Sequence, residues 1–138
     1  MKARVKLVEG MTWMGEADSG HGVIMDASPE VGGRNLGARP MELLLMGLGG
    51  CTGIDVKMIL QKSRQNLIDC QIEISADRAP DDPKVFTKIN VHYIVIGTNL
   101  DETKVKRAID LSAEKYCSVS KMLDKTANIT HSFEIRNA

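Results

Sequence analysis

The sequence predicts an α+β fold organised as one domain over residues 1–138. Three observations carry this expectation. Short runs that alternate apolar and polar residues recur at both ends of the chain and in its middle, which is the period of half-buried strands. Residues 39–65 (RPMELLLMGLGGCTGIDVKMILQKSRQ) form the longest apolar-rich segment, too long for one strand and of helical length. A second segment with helical spacing follows the middle strands. The resulting order is strands, helix, strands, helix, strand, as in an α+β domain.

The elements follow in chain order. Residues 2–8 set Ala3, Val5 and Leu7 against Lys2, Arg4 and Lys6, a strand with one buried face. Glu9-Gly10 turns the chain, residues 11–17 make a second strand, and Asp18-Ser19-Gly20 turns it again. His21 to Ala27 is the third strand of an antiparallel meander. Residues 28–38 (SPEVGGRNLGA) are rich in Gly and polar side chains and read as an exposed loop. Pro40 then opens the central helix, where its missing N–H would be unpaired anyway.

In that helix Leu43, Leu44, Leu45, Met46 and Leu48, then Ile54, Val56, Met58, Ile59 and Leu60, leave no clean polar face. Such a helix is expected to be buried in its own protein or against a partner. Gly49 and Gly50 precede Cys51 directly. Each costs about 1 kcal/mol in a helix interior and is tolerated where something packs on the backbone or the helix breaks.

Beyond it, Ile68, Cys70, Ile72 and Ile74 alternate with polar residues in a fourth strand over 67–76, and residues 85–96 form a long fifth. Asp101 or Thr103 caps a helix in which Val105, Ala108, Ile109, Ser112, Ala113 and Tyr116 recur at helical spacing, with Cys117 near its end. Residues 118–125 suit a short helix and 129–135 a closing strand.

Composition narrows the function. Lys+Arg 18 balances Asp+Glu 18, which gives no electrostatic reason to expect nucleic acid or an anionic membrane as partner. One Trp, two Tyr and two Phe are too few for a base-stacking or sugar-binding platform, whereas 8 Met suit a soft pocket wall. The start, MKARVKLVEG, lacks the apolar core of a signal peptide, and no uninterrupted apolar run reaches the ~18 residues of a membrane span. Three cysteines make no dense disulfide framework, so a reducing compartment, the cytoplasm, is expected. No GxGxxG or GxxxxGK[ST] stretch occurs, and no nucleotide cofactor is expected. His21, His92 and His131 lack the spacing of metal ligands, which leaves a Cys51/Cys117/His site weakly supported and no metal expected.

Cys51 and Cys117 lie on separate helices. If both helices pack on one sheet, the thiols can meet; equally, both can be small buried apolar side chains. Cys70 fits the core face of its strand.

PMELLLMGLGGCTGIDV, followed downstream by AEKYCSVS, resembles the OsmC/Ohr family of osmotically inducible and organic-hydroperoxide-resistance proteins, nearest to its OsmC-like branch. The resemblance covers the whole order of elements. It implies antiparallel sheets around a central buried helix and an intertwined homodimer with active sites at the subunit interface. It also implies that Cys51 is the peroxidatic cysteine and Cys117 the resolving one. In the family an arginine from the loop before the central helix closes over the thiolate, held by a glutamate near the helix start. Arg34 in GGRNLGARP is the first match, Arg39 its rival, and Glu42 the glutamate. Met41 stands where the characterised branches carry that glutamate, and Ser118 where they usually carry proline. Glu42 precedes Cys51 by nine positions, about 180° around a straight helix, so the two face opposite ways on one straight helix, and Glu42 can still serve if Gly47, Gly49 and Gly50 break it.

The implied activity is thiol-dependent reduction of organic hydroperoxides. A thiolate becomes a sulfenic acid, a second thiol condenses with it, and an external thiol restores the pair. The attacking thiol needs a cationic neighbour. The implied partners are a hydroperoxide, a thiol reductant and a second copy of the chain. The alternative is a non-enzymatic dimer of the same fold, stress-associated or binding a small molecule.

Overall fold

Three strands open the chain: β1 (Ala3–Glu9), β2 (Thr12–Ala17) and β3 (Gly22–Met25). They form the expected antiparallel meander in the order β1-β2-β3. The computed structural model describes residues Met1–Ala138. It divides into two units, Met1–Met46 and Gly47–Ala138, taken here in turn.

In the first unit the face expected to be buried on β1 is open. Val5 is 56% exposed and Leu7 49%. The loop after β3, in contrast, is more ordered than its polarity suggests. Asp26 is only 2% exposed. Its carboxylate accepts hydrogen bonds from the Thr12 hydroxyl (3.2 Å) and from the backbone N–H groups of Ala27 (2.8 Å), Arg34 (3.2 Å) and Leu36 (3.1 Å). Burial opposes the charge, but these hydrogen bonds outweigh it and hold the carboxyl below its usual value. The loop therefore wraps one buried carboxylate, with a 3₁₀ turn at Pro29–Val31. It can wrap so closely because a Cβ at Gly33 would stand 1.7 Å from the Ala27 carbonyl oxygen, a contact only glycine avoids.

The central helix α1 (Pro40–Lys62) runs unbroken for 23 residues through all its glycines. In the second unit it is followed by β4 (Asn66–Arg78) and β5 (Phe86–Thr98). Then come α2 (Glu102–Leu111), a π turn (Ser112–Tyr116), α3 (Ser118–Leu123) and β6 (Asn128–Asn137). The sheet order is β4-β5-β6. The fold is α+β, as expected, and three of the four strand pairings are antiparallel. The fourth, β5 with β6, is parallel. The chain leaves the end of β5 through two helices before it re-enters the sheet, and a crossover of that length is what parallel pairing requires. β5 lies between its neighbours, with Ile89, Val91, Tyr93 and Val95 fully buried.

The burial of α1 follows one stripe instead of the whole circumference: Leu48, Thr52, Val56 and Leu60, each one turn after the last. Beside that stripe, a Cβ at Gly49 would sit 3.1 Å from Ile74 and one at Gly53 3.2 Å from Ile72. These two glycines let the helix backbone approach β4. Gly47 and Gly50 face open space, and Met46, Ile54 and Met58 are exposed. The helix is long and apolar enough to cross a membrane, with a mean hydropathy of 1.6 over its most apolar window. Its stripe nevertheless packs in the core of the second unit, where Val56 and Leu60 are completely covered.

Asp101 is the residue that caps α2, accepting from the N–H groups of Thr103 (2.8 Å) and Lys104 (3.3 Å). Val105, Ala108 and Ile109 form its buried face. The expected continuous helix to Tyr116 changes character at Ser112. The Cys117 N–H bonds to the Ser112 carbonyl at 2.8 Å, a five-residue step in place of four.

The close approach of α1 to β4 gives a direct test. Gly53→Val should push Ile72 aside and cost about 1–3 kcal/mol, seen as a lower urea midpoint with an unchanged slope. An unchanged midpoint would mean that the helix–strand contact does not need a glycine.

Candidate functional site

Cys51 and Asp55 are four residues apart on α1, so they share one face of the helix. Cys117 joins them from the end of the π turn. The two sulfurs and a carboxylate oxygen of Asp55 lie within 4.8 Å of one another. Cys51 and Asp55 are half-buried; Cys117 is fully buried.

The local sequence explains how Cys117 arrives there. The wide turn ends when its N–H reaches back to Ser112, and the chain then restarts as α3. Cys117 caps that helix, its Sγ accepting the Ser120 N–H at 3.4 Å. The sulfur is thus fixed from both sides of the chain.

Asp55 is fixed by a buried relay. The Ser112 hydroxyl donates to Asp55 Oδ2 at 2.9 Å. Thr52 Oγ1 lies 2.7 Å from Ser112 Oγ and 2.7 Å from the Tyr93 hydroxyl. Each hydroxyl has one proton to give. Since Ser112 gives its proton to the carboxylate, Thr52 donates to Ser112 and Tyr93 donates to Thr52. The Tyr93 ring stacks on His131, with centroids 6.3 Å apart.

The electrostatics match the burial. Burial, joined by the neighbouring Cys51, pushes the Cys117 thiol up to about 11, against the lowering effect of the Ser120 N–H. Burial also carries the Tyr93 hydroxyl to about 12. Both groups are protonated at neutral pH. A cavity of about 410 Å³ opens beside Asp55, with Met58, Ile59 and Leu111 as apolar walls and Lys62 and Arg107 as cations.

The other sequence-derived residues lie elsewhere. Cys70 is half-buried on β4, where burial, with Asp69, pushes its thiol up. Arg34 pairs with the Glu9 carboxylate at 3.3 Å and donates to Thr12 Oγ1 at 3.3 Å. Arg39 donates to the Gly37 carbonyl (3.0 Å) and to Asn35 Oδ1 (2.9 Å). The Arg39 N–H bonds to Glu42 Oε1 at 2.7 Å, the reach-back of a carboxylate that caps a helix start. The glycines leave α1 unbroken, so the condition under which Glu42 would turn to the Cys51 face of its own helix is not met. No histidine joins the thiols: His21 bonds to Ser19, His92 to Ser132, and His131 stacks on Tyr93.

Asp55, Thr52, Ser112 and Tyr93 are the residues that reading the sequence misses. One signal was available, the Cys51-x-x-x-Asp55 spacing, which sets two ligand-type side chains on one helical face. The hydroxyls give no such signal, because Ser112 and Tyr93 fit the buried faces of their elements.

Comparison with known proteins adds four findings. Residues 32–132 match the family model described as OsmC-like protein. The chain is 50% identical to Protein YhfA of Escherichia coli (strain K12) over 135 residues, 98% of each chain. Among solved structures it is similar to a hypothetical protein from Aquifex aeolicus VF5, with 31% identity, TM-score 0.87 and coverage of 99% and 96%. It shares its fold with the organic hydroperoxide resistance protein OhrB of Bacillus subtilis at 19% identity, TM-score 0.65 and coverage of 97% and 98%.

The raised Cys117 thiol makes stability pH-dependent. In the unfolded chain this thiol ionises around 9.0, whereas in the fold it keeps its proton to about 11. The folded state then holds the extra proton, so stability is full below pH 9 and falls as pH rises towards 11. Urea midpoints at pH 7.5, 9 and 10.5 should show this fall, and Cys117→Ser should flatten it. Tyr93 adds its own loss only as pH approaches 12.

Proposed function

Because this chain belongs to the OsmC-like protein family, we propose that it is a thiol-dependent peroxidase that reduces organic hydroperoxides with two cysteines. The observation that carries this reading is the convergence of Cys51 and Cys117, from separate elements, to within 4.8 Å. Cys51 is assigned the attack because it is the more accessible of the two. Its thiolate breaks the O–O bond, the alcohol leaves, and a sulfenic acid remains on Cys51. Cys117 then attacks that sulfur. Asp55 is within reach to take the Cys117 proton, hydroxide leaves as water, and a Cys51–Cys117 disulfide forms. An external dithiol restores both thiols by exchange. The apolar walls of the adjoining cavity suit the alkyl part of the substrate.

The cation that the attacking thiolate needs is assigned to Arg34 first and Arg39 second, with Glu42 as the carboxylate that holds it from a second copy of the chain, since on its own unbroken helix it faces away from Cys51. The compartment is assigned to the cytoplasm, in line with three cysteines that are all free. The working unit is assigned as a homodimer. Ile54 is 64% exposed, and Met46, Met58 and apolar side chains of β1 are also open, surface of the kind that a second copy would cover.

A second reading has its own support. The carboxylate of Asp55 is one of the groups that disfavour a thiolate on Cys117, which fits a protein of this fold that binds a ligand without turning over peroxide.

One equivalent of an organic hydroperoxide should consume two thiols of the reduced protein and join Cys51 to Cys117, as read by peptide mass mapping. Cys51→Ser should abolish turnover. Cys117→Ser should react once and then overoxidise, and Cys70→Ala should keep its activity. Arg34→Ala should move the pH profile of attack upward. A wild-type dithiol that survives excess hydroperoxide would sink the enzyme reading and leave the binding protein in its place. For the assembly, sedimentation at low micromolar concentration should give a dimer; a compact monomer there would refute it.

A further inference from the structure

We propose that Cys51, Asp55 and Cys117 form a binding site for a thiophilic divalent cation of the zinc class. The proposal stands apart from the peroxidase reading, although it uses the same sulfurs. Three groups that all become anionic on losing a proton converge within 4.8 Å. None of the ion pairs in the chain involves Asp55. A cation is the ligand that such a cluster lacks.

The donor set narrows the choice. Two thiolates favour soft or borderline metals, and a carboxylate oxygen favours harder ones; Zn²⁺ accepts both. Tetrahedral zinc takes sulfur at about 2.3 Å and carboxylate oxygen at about 2.0–2.2 Å. Those lengths put neighbouring ligand atoms about 3.3–3.8 Å apart, a small contraction of the present cluster. Cys51 and Asp55 supply two ligands from one helical face. Cys117 supplies the third from the π turn. The fourth position faces no protein ligand, as in zinc sites that keep a water.

The surroundings also have the form of a ligand-holding shell. Ser112 donates one hydrogen bond to Asp55 Oδ2, which leaves the carboxylate further lone pairs for a metal. Thr52 and Tyr93 hold Ser112 in turn. The Ser120 N–H points at the Cys117 sulfur, where it would stabilise a thiolate. Outer contacts of this kind orient metal ligands and raise affinity.

Loading displaces two protons: the dithiol and M²⁺ give the bis-thiolate complex and 2 H⁺. Metal and hydroperoxide then compete for the same sulfurs, so a bound cation shields the pair from oxidation.

The test titrates the reduced, intact protein with Co²⁺ and then displaces it with Zn²⁺ against a chromogenic chelator. One Co²⁺ per chain should bind and show a thiolate-to-cobalt charge-transfer band with tetrahedral visible bands. Cys51→Ser and Cys117→Ser should each weaken that band and its affinity. Asp55→Asn should lower affinity at least about tenfold. If Asp55→Asn does not fold by circular dichroism, Ser112→Ala keeps all three ligands and should lose about 10–100-fold. Absence of a charge-transfer band overturns the proposal. So does an affinity unmoved by Asp55→Asn, or by Ser112→Ala where that variant replaces it, because the dithiol would then be binding alone. Hydroperoxide oxidation measured in a chelator stays a separate result. A protein that binds Co²⁺ but ignores peroxide refutes only the peroxidase reading, and one that oxidises without binding Co²⁺ refutes only this site.

Discussion

The hydrogen-bond chain from Tyr93 through Thr52 and Ser112 to Asp55 is the interaction on which the second unit turns. It links β5, α1 and the π turn, three elements that otherwise meet through apolar contacts without direction. Hydrophobic packing tolerates small slides and rotations; a chain of buried hydroxyls does not, because each orphaned group costs about 1–3 kcal/mol. The chain also has a polarity. All its protons point towards the carboxylate, so Asp55 keeps its orientation beside the two sulfurs.

The glycines of α1 work at the same interface from the other side. Gly49 and Gly53 bring the helix axis close to β4, and the buried stripe from Leu48 to Leu60 fills the remaining space. With the helix held at that depth, Thr52 reaches both the strand tyrosine and the serine of the π turn. A bulkier residue at either glycine would lift the helix and stretch the hydrogen bonds before it touched a cysteine. The site is therefore set by backbone proximity as much as by its own side chains.

Much of this was legible in the sequence. Alternation marks the strands, and the apolar length of residues 39–65 marks α1, because period and length are local properties. Asp101 as a cap is local too. What was not legible depends on distant partners. The parallel pairing of β5 and β6 leaves no trace in alternation, which is the same for either direction. The alternating pattern of β1 promises a buried face, but nothing in a single chain covers it. The all-round apolarity of α1 suggests complete burial, whereas one stripe is buried and the remaining residues are half-buried or open. The cysteine pair could be named only through a resemblance to a family. Asp55 looks like a mere interruption of an apolar run until the fold brings Cys117 and Ser112 beside it.

The π turn turns chain length into chemistry. An α-helix over residues 102–116 would close each turn with one residue fewer than the segment uses at its end. Were the same residues wound as regular α-helix instead, whatever follows would be rotated by about 100°. Every residue type in the cluster would survive such a rewinding, yet the Cys117 sulfur would leave its partner. Removing one residue between Ser112 and Tyr116 while the segment relaxes to α-helix returns the Cys117 N–H to the same Ser112 carbonyl, so the extra residue and the wide turn compensate one another.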